Sequence, residues 1–281
     1  MTKTALVTGG SHNIGQGIAI VLARKGYDVA ITYHNRQDGA EDTRRAIEAL
    51  GRKCFVFQAN LETEDGPQKA VDEAYRALGH LDLTVCNAGR DTRGSVLTAT
   101  ADNLKALFES NYRNYILTAG AAARYMVRDG IHGNIVFITS SRSQRAYPDD
   151  FLYGSFKAAI MRACESIALD LSYYNIRVNC IAPGCVWPKS NWCPNPDSVP
   201  FLRDSVPMHR TGTPEDIGEA VAYIASDAAT YVTGVTLRVD GGLILPGLRE
   251  GNDPVYWYRP EWHDETKEKA LQMLEEHERS L

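Results

Sequence analysis

Short runs of apolar, mostly β-branched residues recur along the chain, and longer amphipathic segments separate them. The apolar runs lie at residues 4–8, 29–33, 54–58, 81–86, 134–139, 176–181 and 235–239. Amphipathic segments of helical length lie at residues 14–25, 40–50, 66–78, 102–128, 152–173 and 215–225. Short apolar runs of this kind are typical of strands buried on both faces, and their alternation with helices predicts right-handed crossovers. The pattern therefore predicts an α/β protein with a doubly wound, seven-stranded parallel sheet and helices on both faces.

Two segments interrupt this alternation. Residues 185–207 contain five prolines and two tryptophans without clean periodicity, which predicts a long loop that acts as a lid. Residues 246–281 follow the last predicted strand, and the stretch 265–279 within them predicts a helix. We therefore expect one domain over residues 1–245 and a C-terminal extension that packs on this domain or on a neighbouring subunit.

Composition excludes several classes of protein. With 44% hydrophobic and 23% charged residues, the chain is typical of globular rather than disordered or fibrous proteins. Its formal net charge of -5 gives no broad basic surface, so nucleic acid is not an expected partner. No apolar run approaches the roughly 20 residues of a membrane span, and no apolar leader follows Met1, so we expect a cytoplasmic protein. The six cysteines form no Cys-x-x-Cys pair, and no metal site is predicted.

The first predicted strand runs into a glycine-rich turn that precedes a helix. Backbone N–H groups of such a turn can approach a pyrophosphate, whose negative charge is favoured at the N-terminus of the following helix. A glycine-rich turn alone is weak evidence, but its position after the first strand of an alternating chain is the context that a dinucleotide site requires. The candidate residues in this turn are Gly9, Ser11, His12, Asn13, Ile14 and Gly15.

A second group of residues is suited to acid–base chemistry. Tyr153 and Lys157 are four residues apart in a predicted helix and share a face, and a cation close to a phenol favours the phenolate. Ser140 follows a predicted strand at the edge where open α/β sheets bind ligands, with Ser141 as the alternative. Asn111 lies inside a predicted helix, where by itself it would be taken for a solvent-facing residue.

Together these motifs resemble the short-chain dehydrogenase/reductase family, and the resemblance covers residues 1–245. The glycine-rich turn has the spacing of that family, with Asn13 in place of the middle glycine. Further segments that resemble family motifs lie at residues 58–61, 86–89, 176–184, 212–217 and 231–242. The resemblance implies a Rossmann-type fold and an NAD(P)(H)-dependent oxidoreductase that interconverts a ketone and a secondary alcohol.

The resemblance also implies a role for each member of the acid–base group. Tyr153 would be the general acid/base, and Ser140 would orient the carbonyl group of the substrate. Lys157 would lower the pKa of Tyr153, and Asn111 would hold a water that relays protons.

The rest of the cofactor site is likewise implied by the resemblance. Beside Tyr153 and Lys157, the implied cofactor contacts are His34, Asn35, Asn60, Leu61, Asn87, Ala88, Gly89, Pro183, Gly184 and Val186. Enzymes that use NAD carry an acidic residue for the ribose 2′-hydroxyl after the second strand, but residues 32–36 contain no carboxylate. His34 and Arg36 stand there instead, so NADP(H) is favoured over NAD(H), with Arg36 as an ordinary surface charge being the alternative.

The substrate pocket is expected to be lined by Ser141, Arg142, Gln144, Trp187 and Trp192. The polar members favour a small-molecule ketone or alcohol such as a keto-sugar or polyol, whereas the tryptophans leave a steroid or a 3-oxoacyl substrate as alternatives. Competing hypotheses from other classes are a catalytically silent dinucleotide-binding regulator and a structural oligomer that binds no nucleotide. The resemblance further implies a homo-oligomer, a dimer or a tetramer, assembled through the helices predicted at 102–128 and 152–173.

Overall fold

The computed structural model describes residues 2–187, 206–246 and 260–280, the last range with side chains from Asp264 onward. The strands of this part of the chain are β1 (Thr4–Val7), β2 (Asp28–Tyr33), β3 (Cys54–Gln58), β4 (Leu83–Cys86), β5 (Asn134–Ile138), β6 (Arg177–Pro183) and β7 (Thr236–Val239). The α-helices are α1 (Asn13–Arg24), α2 (Gln37–Glu48), α3 (Gly66–Leu78), α4 (Ala101–Phe108), α5 (Asn114–Asp129), α6 (Phe151–Ser172), α7 (Pro214–Ala225) and α8 (Pro260–Ser280).

The strands form one parallel sheet in the order β3-β2-β1-β4-β5-β6-β7. The chain first builds outward from β1 to β3, and then returns to the other side of β1 to add β4 and the later strands. This reversal of direction beside β1 is a topological switch point, where open α/β sheets bind ligands at the carboxyl ends of their strands. The structure confirms the predicted doubly wound, seven-stranded architecture.

The core lies on both faces of the sheet. Leu6 and Val7 are consecutive in β1 and therefore point to opposite faces. Val7 belongs to a buried cluster with Ile18 of α1, whereas Leu6 belongs to a second cluster with Tyr115 of α5 and Ile160 of α6. Burial on both sides explains why the strands have continuous apolar runs rather than alternating ones.

The predicted helix at 102–128 is not one uninterrupted α-helix. A π-helical turn, Glu109–Arg113, joins α4 to α5, and the Asn114 N–H bonds to the Glu109 carbonyl five residues back. The five-residue hydrogen bond of this turn adds one residue relative to an α-helical turn. The apolar pattern does not reveal this residue, because the apolar positions on either side of the turn still repeat with helical spacing.

The other elements begin and end within a few residues of their predicted limits. β6 continues to Pro183, beyond the predicted end at residue 181, because β7 pairs with it as far as Val239. α8 includes the helix predicted at 265–279, and its described side chains are exposed.

The division of the chain at residue 245 stays a prediction. No helix in the described ranges is long and apolar enough to cross a membrane.

Two glycines allow α1 and α7 to pack closely beside the glycine-rich turn. A Cβ at Gly218 would lie 2.7 Å from Val21 Cγ2 and 3.0 Å from the carbonyl oxygen of Gly17. A Cβ at Gly17 would lie 2.3 Å from Pro214 Cβ. The position of α1, which starts at the turn, therefore depends on the absence of side chains at this contact.

Replacing Gly218 with alanine is expected to lower the free energy of unfolding by about 1–3 kcal/mol, because the methyl group overpacks the contact with α1. The matched change Gly120→Ala in α5 places a methyl group 3.6 Å from Arg124 Nη1, an ordinary contact, and no other described residue lies closer. This control is expected to raise the free energy of unfolding by up to about 1 kcal/mol, the gain in helix propensity. Chemical denaturation measures both, and equal losses in the two variants would contradict the assigned role of Gly218.

Candidate active site

A cleft of about 530 Å³ lies along the carboxyl edge of the sheet, beside the switch point between β1 and β4. This volume is typical of sites for small molecules and cofactors. The predicted cofactor contacts that line it are Gly9, Ser11, His12, Asn13, Ile14, Gly15, His34, Asn35, Asn60, Leu61, Asn87, Ala88, Gly89 and Val186. The fold thus brings together segments that are far apart in the sequence.

The glycine-rich turn has the backbone of an anion site. Gly9 and Asn13 have positive φ values of 69° and 49°, and asparagine tolerates this region better than most residues. A Cβ at Gly15 would lie 2.1 Å from the Gly9 carbonyl oxygen, so only glycine fits there. No side chain of the described residues caps α1 at His12, which leaves N–H groups of its first turn available to a ligand. The turn therefore fits the pyrophosphate of a dinucleotide.

Asn87 holds this turn against the end of β4. Its side-chain amide donates to the carbonyl oxygens of Thr8 at 2.9 Å and of Gly9 at 3.3 Å, and its N–H donates to Thr8 Oγ1 at 2.9 Å. The Asn114 amide donates to the Ala88 carbonyl oxygen at 2.9 Å. Sequence reasoning missed Thr8 and Asn114, because neither residue carries a signal apart from the partners that the fold gives it.

The end of β2 presents basic and polar groups to the cleft. The lining residues in this segment are Thr32, Tyr33, His34, Asn35 and Arg36. Burial, and then the charge of Arg36, lowers the pKa of His12 in the neighbouring turn. Glu62 is the one carboxylate among the described residues that line the cleft, and it is paired with Arg90. The backbone N–H of Glu62 donates to Asn60 Oδ1 at 3.0 Å. This bond occupies part of the capacity of the Asn60 side-chain oxygen to accept hydrogen bonds.

Ser140 and Tyr153 meet beyond the end of β5. Ser140 is buried, and its hydroxyl oxygen accepts the Arg142 N–H at 3.2 Å. Part of the Tyr153 side chain is accessible to solvent, yet the surrounding protein desolvates the phenol. This desolvation, and then the Asp91 carboxylate, outweighs the hydrogen bond with Ser140 and raises the pKa of Tyr153 to about 12. The protein's own groups thus shift this pKa in the direction opposite to the one expected from Lys157.

Lys157 is buried, and its ammonium group faces the ring of Tyr153. Its Nζ donates to Tyr115 Oη at 2.8 Å and to the Ile138 carbonyl oxygen at 2.9 Å, and it lies 5.7 Å from the centroid of the Tyr153 ring. Burial lowers the pKa of Lys157 to about 7. The spacing of four residues correctly placed Tyr153 and Lys157 on one face, but it could not reveal that the ammonium group bonds to Tyr115.

Asn111 lies in the π-helical turn and is completely buried. Its amide nitrogen donates to the Arg90 carbonyl oxygen at 2.8 Å and to Ser110 Oγ at 3.0 Å. Its oxygen Oδ1 has no hydrogen-bond partner among the described residues, and a Cβ at Gly89 would lie 2.5 Å from it. Buried acceptors are normally satisfied by protein or by water, so this oxygen suits the predicted role in holding a relay water.

The polar candidates for the substrate pocket form contacts of their own. The Arg142 guanidinium lies 3.3 Å from Asp150 Oδ2 and stacks over the Tyr147 ring at 4.5 Å from its centroid. Gln144 Oε1 accepts from Arg238 Nη1 at 3.3 Å. Ser141, the alternative to Ser140, is buried in the short turn that follows β5.

The remaining candidates lie at the end of β6 and after it. Pro183 is the last residue of that strand, and the Gly184 N–H continues the ladder by bonding to the Val239 carbonyl oxygen at 3.0 Å. Trp187 is half-buried, and its backbone N–H donates to the Gly212 carbonyl oxygen at 2.8 Å. Trp192 and residues 188–205 of the predicted lid lie outside the described residues.

Comparisons with known proteins cover the same part of the chain. A family model described as Enoyl-(Acyl carrier protein) reductase matches residues 9–244. Glucose 1-dehydrogenase 2 of Bacillus subtilis is 34% identical over 245 residues, which are 86% of this chain and 95% of that protein. The 3-oxoacyl-(acyl-carrier-protein) reductase of Staphylococcus epidermidis is 31% identical over 87% of this chain and its own full length. The crystal structure of acetoin dehydrogenase from Enterobacter cloacae has a TM-score of 0.82 and 33% identity, and the match covers 90% of this chain and 99% of that one.

Proposed function

The chain belongs to the short-chain dehydrogenase/reductase family of NAD(P)-dependent oxidoreductases, and from this premise we propose its reaction and its active-site residues. It interconverts a ketone and a secondary alcohol, and NAD(P)H supplies the hydride when it is bound. The observation that carries the proposal is the convergence of Ser140, Tyr153 and Lys157 at the carboxyl edge of the sheet, where the nucleotide cleft also lies.

In ketone reduction, Ser140 and Tyr153 act on the carbonyl oxygen. The Ser140 oxygen accepts the Arg142 N–H, and its hydroxyl hydrogen-bonds with Tyr153, so a carbonyl oxygen that enters between the two side chains would take the place of that mutual bond and accept from both. Tyr153 transfers its phenolic proton to the same oxygen as the hydride arrives at the carbon. A Tyr153 pKa of about 12 keeps this proton in place at neutral pH, so the acid is in the correct form for reduction.

In alcohol oxidation, Tyr153 must instead accept a proton, and the phenolate must be stabilised. The protein alone disfavours the phenolate, because burial raises the Tyr153 pKa. The Lys157 ammonium and the positive charge of an oxidised nicotinamide oppose that effect, since nearby positive charge favours the anion. Asn111 Oδ1, an acceptor that no described group satisfies, would hold the water that exchanges protons with Lys157.

A small hydroxylated ketone, such as a keto-sugar, is the proposed substrate class. Arg142, Asp150 and Gln144 lie near Ser140 and provide charged and amide groups that match hydroxyl groups. Two similar proteins are named for glucose and acetoin, which are small hydroxylated molecules, while a third is named for 3-oxoacyl chains. A 3-oxoacyl substrate is therefore the alternative.

NADP(H) is the proposed cofactor in preference to NAD(H). His34 and Arg36 line the cleft at the end of β2, where an NAD-specific site would carry a carboxylate. Burial, and then the charge of Arg36, lowers the pKa of His12 in the glycine-rich turn, so His12 is neutral at pH 7 and Arg36 supplies the positive charge at the edge that a 2′-phosphate would face.

A homo-oligomer assembled through α4, α5 and α6 is also proposed. These helices carry large apolar side chains that the described part of the chain leaves exposed. They include Leu104, Phe108, Leu117, Phe151 and Leu169, and Tyr173, directly after α6, is exposed as well. Exposed apolar surface on neighbouring helices is typical of an interface.

The reaction is tested by measuring NADPH oxidation with keto-sugars, acetoin, a 3-oxoacyl thioester and a steroid ketone. The wild-type chain is expected to turn over the hydroxylated ketones fastest, and Tyr153→Phe is expected to lower that rate about a hundredfold to ten-thousandfold, the usual contribution of a general acid. The control Tyr231→Phe alters a fully exposed tyrosine and is expected to keep the wild-type rate. Full activity in Tyr153→Phe would refute its role as the acid, and turnover of apolar ketones alone would refute the substrate class.

The cofactor preference is tested with Arg36→Leu. Removing the guanidinium is expected to weaken NADPH binding by about tenfold or more, because hydrogen bonds to charged groups contribute roughly 1.5–3 kcal/mol, and to leave NADH binding unchanged. Fluorescence titration measures both dissociation constants. Arg45→Leu in α2, whose guanidinium pairs with Asp42, is the control. Tighter binding of NADH than of NADPH by the wild-type protein would contradict the preference.

Assembly is tested by size-exclusion chromatography with light scattering. The wild-type particle is expected to have two or four times the mass of one chain, and Leu117→Glu is expected to dissociate it because a charge would be buried at the interface. Leu50→Glu is the matched control, since Leu50 is 43% exposed and Leu117 is 40% exposed, but Leu50 lies after α2. A wild-type particle with the mass of a single chain would contradict the proposal.

A further inference from the structure

A second tyrosine contacts the buried lysine of the reaction centre. Tyr115 is completely buried in α5, and its hydroxyl lies 2.8 Å from Lys157 Nζ, 3.0 Å from the Asn87 carbonyl oxygen and 3.1 Å from the Ile138 carbonyl oxygen. No motif marks this residue, and the reaction described above does not use it.

The hydrogen bonds among Lys157, Tyr115 and the nearby carbonyl oxygens can each be assigned a donor and an acceptor. The ammonium group has three N–H donors, and it gives one to Tyr115 Oη and one to the Ile138 carbonyl oxygen. The Tyr115 hydroxyl accepts from Lys157, and its own hydrogen is donated to the carbonyl oxygen of Asn87 or Ile138. The third N–H of Lys157 remains for the side of Tyr153, whose ring centroid lies 5.7 Å away.

Tyr115 therefore connects the reaction centre to the nucleotide site. Asn87, whose carbonyl oxygen contacts the Tyr115 hydroxyl, is the residue whose side chain holds the glycine-rich turn. A displacement of the Tyr115 hydroxyl would move the Lys157 ammonium relative to both Tyr153 and the cofactor cleft.

We propose that Tyr115 is a positioning residue of the reaction, whose hydroxyl fixes the Lys157 ammonium and stabilises its charged form. The inference rests on the proposed role of Lys157, through which Tyr115 acts. It adds a residue to the set of four that the family resemblance implies, and it places this residue on α5, one turn beyond Asn111.

The titratable groups around Lys157 explain why the Tyr115 hydroxyl affects the charge of the lysine. Titratable groups face Lys157 and Tyr115 from several elements, namely Cys86 on β4, Cys180 on β6, Tyr153 on α6 and Asp91 in the segment after β4. Burial lowers the pKa of Lys157 to about 7 and raises the pKa values of Cys86, Tyr115 and Tyr153, so these three groups are neutral at physiological pH. Among the described residues, Lys157 contacts neutral hydrogen-bond acceptors and no carboxylate, so these acceptors favour its charged form against the effect of burial.

The variant Tyr115→Phe removes the hydroxyl and retains the ring, whose centroid lies 4.4 Å from Lys157 Nζ. Loss of an acceptor disfavours the ammonium, so the titration of Lys157 is expected to move to lower pH by about one unit. This shift is measured without any cofactor, by NMR of the protein with 13Cε-labelled lysine, with the Lys157 signal identified by its loss in Lys157→Met.

The same variant has a kinetic consequence. With less positive charge on Lys157, the Tyr153 phenolate is less stable, so the acid limb of the pH profile for alcohol oxidation is expected to move to higher pH by about one unit. At neutral pH, kcat for oxidation is expected to fall about tenfold, while KM for the alcohol stays within about a factor of two. A purely structural role would lower the rate equally at every pH.

Tyr125→Phe is the matched control. Tyr125 lies in the same helix, and its hydroxyl donates to Asp72 at 2.8 Å, so the substitution also removes one hydrogen bond from α5. This variant is expected to keep the wild-type Lys157 titration and the wild-type pH profile. Thermal melting of both variants reports any loss of folding.

If Tyr115→Phe does not fold, 3-fluorotyrosine at residue 115 replaces it. This substitution keeps the ring and the hydroxyl but makes the oxygen a weaker acceptor, so a smaller shift of the Lys157 titration in the same direction is expected. An unchanged Lys157 titration and an unchanged pH profile, in a folded variant at residue 115, would overturn the proposal. A wild-type protein without ketone or alcohol turnover would instead overturn the proposed function, while the NMR titration would still test whether Tyr115 stabilises charged Lys157.

Discussion

The site depends on one constraint, the parallel alignment of all strands in a sheet that is buried on both faces. Parallel strands deliver their carboxyl ends to the same edge, so the residues that follow β1, β4, β5 and β6 converge although the chain separates them widely. The reversal of strand order beside β1 leaves a space there between the covering helices. The glycine-rich turn, the segment around Asn87, and Val186 after β6 line this space, and Ser140 lies at the same edge of the sheet after β5.

Burial at that edge sets the electrostatics of the reaction centre. A phenol and an ammonium that are removed from water both shift toward their neutral forms, which is seen in the directions of the Tyr153 and Lys157 pKa values. In the described part of the chain, a carbonyl oxygen and a tyrosine hydroxyl, and no carboxylate in contact, counter this tendency at Lys157. Such a centre responds to the charge of whatever binds beside it, because Lys157 forms no ion pair with the residues that the structure describes.

Much of this could be predicted from the sequence, because local patterns and spacing determine it. Apolar runs located the strands, and the spacing of Tyr153 and Lys157 placed them on one face of α6. The residues that were missed act through tertiary contacts. Thr8 lies 79 residues before Asn87, and Tyr115 lies 42 residues before Lys157. Local sequence patterns do not connect residues that are so far apart in the chain. The direction of the Tyr153 pKa shift could not be predicted from the sequence either, because it follows from burial, which only the folded chain produces.

The π-helical turn between α4 and α5 limits how this protein can change in length. Each residue of a helix advances the side-chain direction by about 100°, so the extra residue in the turn sets how Asn111 and Tyr115 are oriented relative to one another. A deletion of one residue between them would rotate Tyr115 away from Lys157 while Asn111 kept its place. Over evolutionary divergence we therefore expect this stretch to accept substitutions more readily than insertions or deletions. Changes in length would instead accumulate in loops that do not have to keep two side chains in phase.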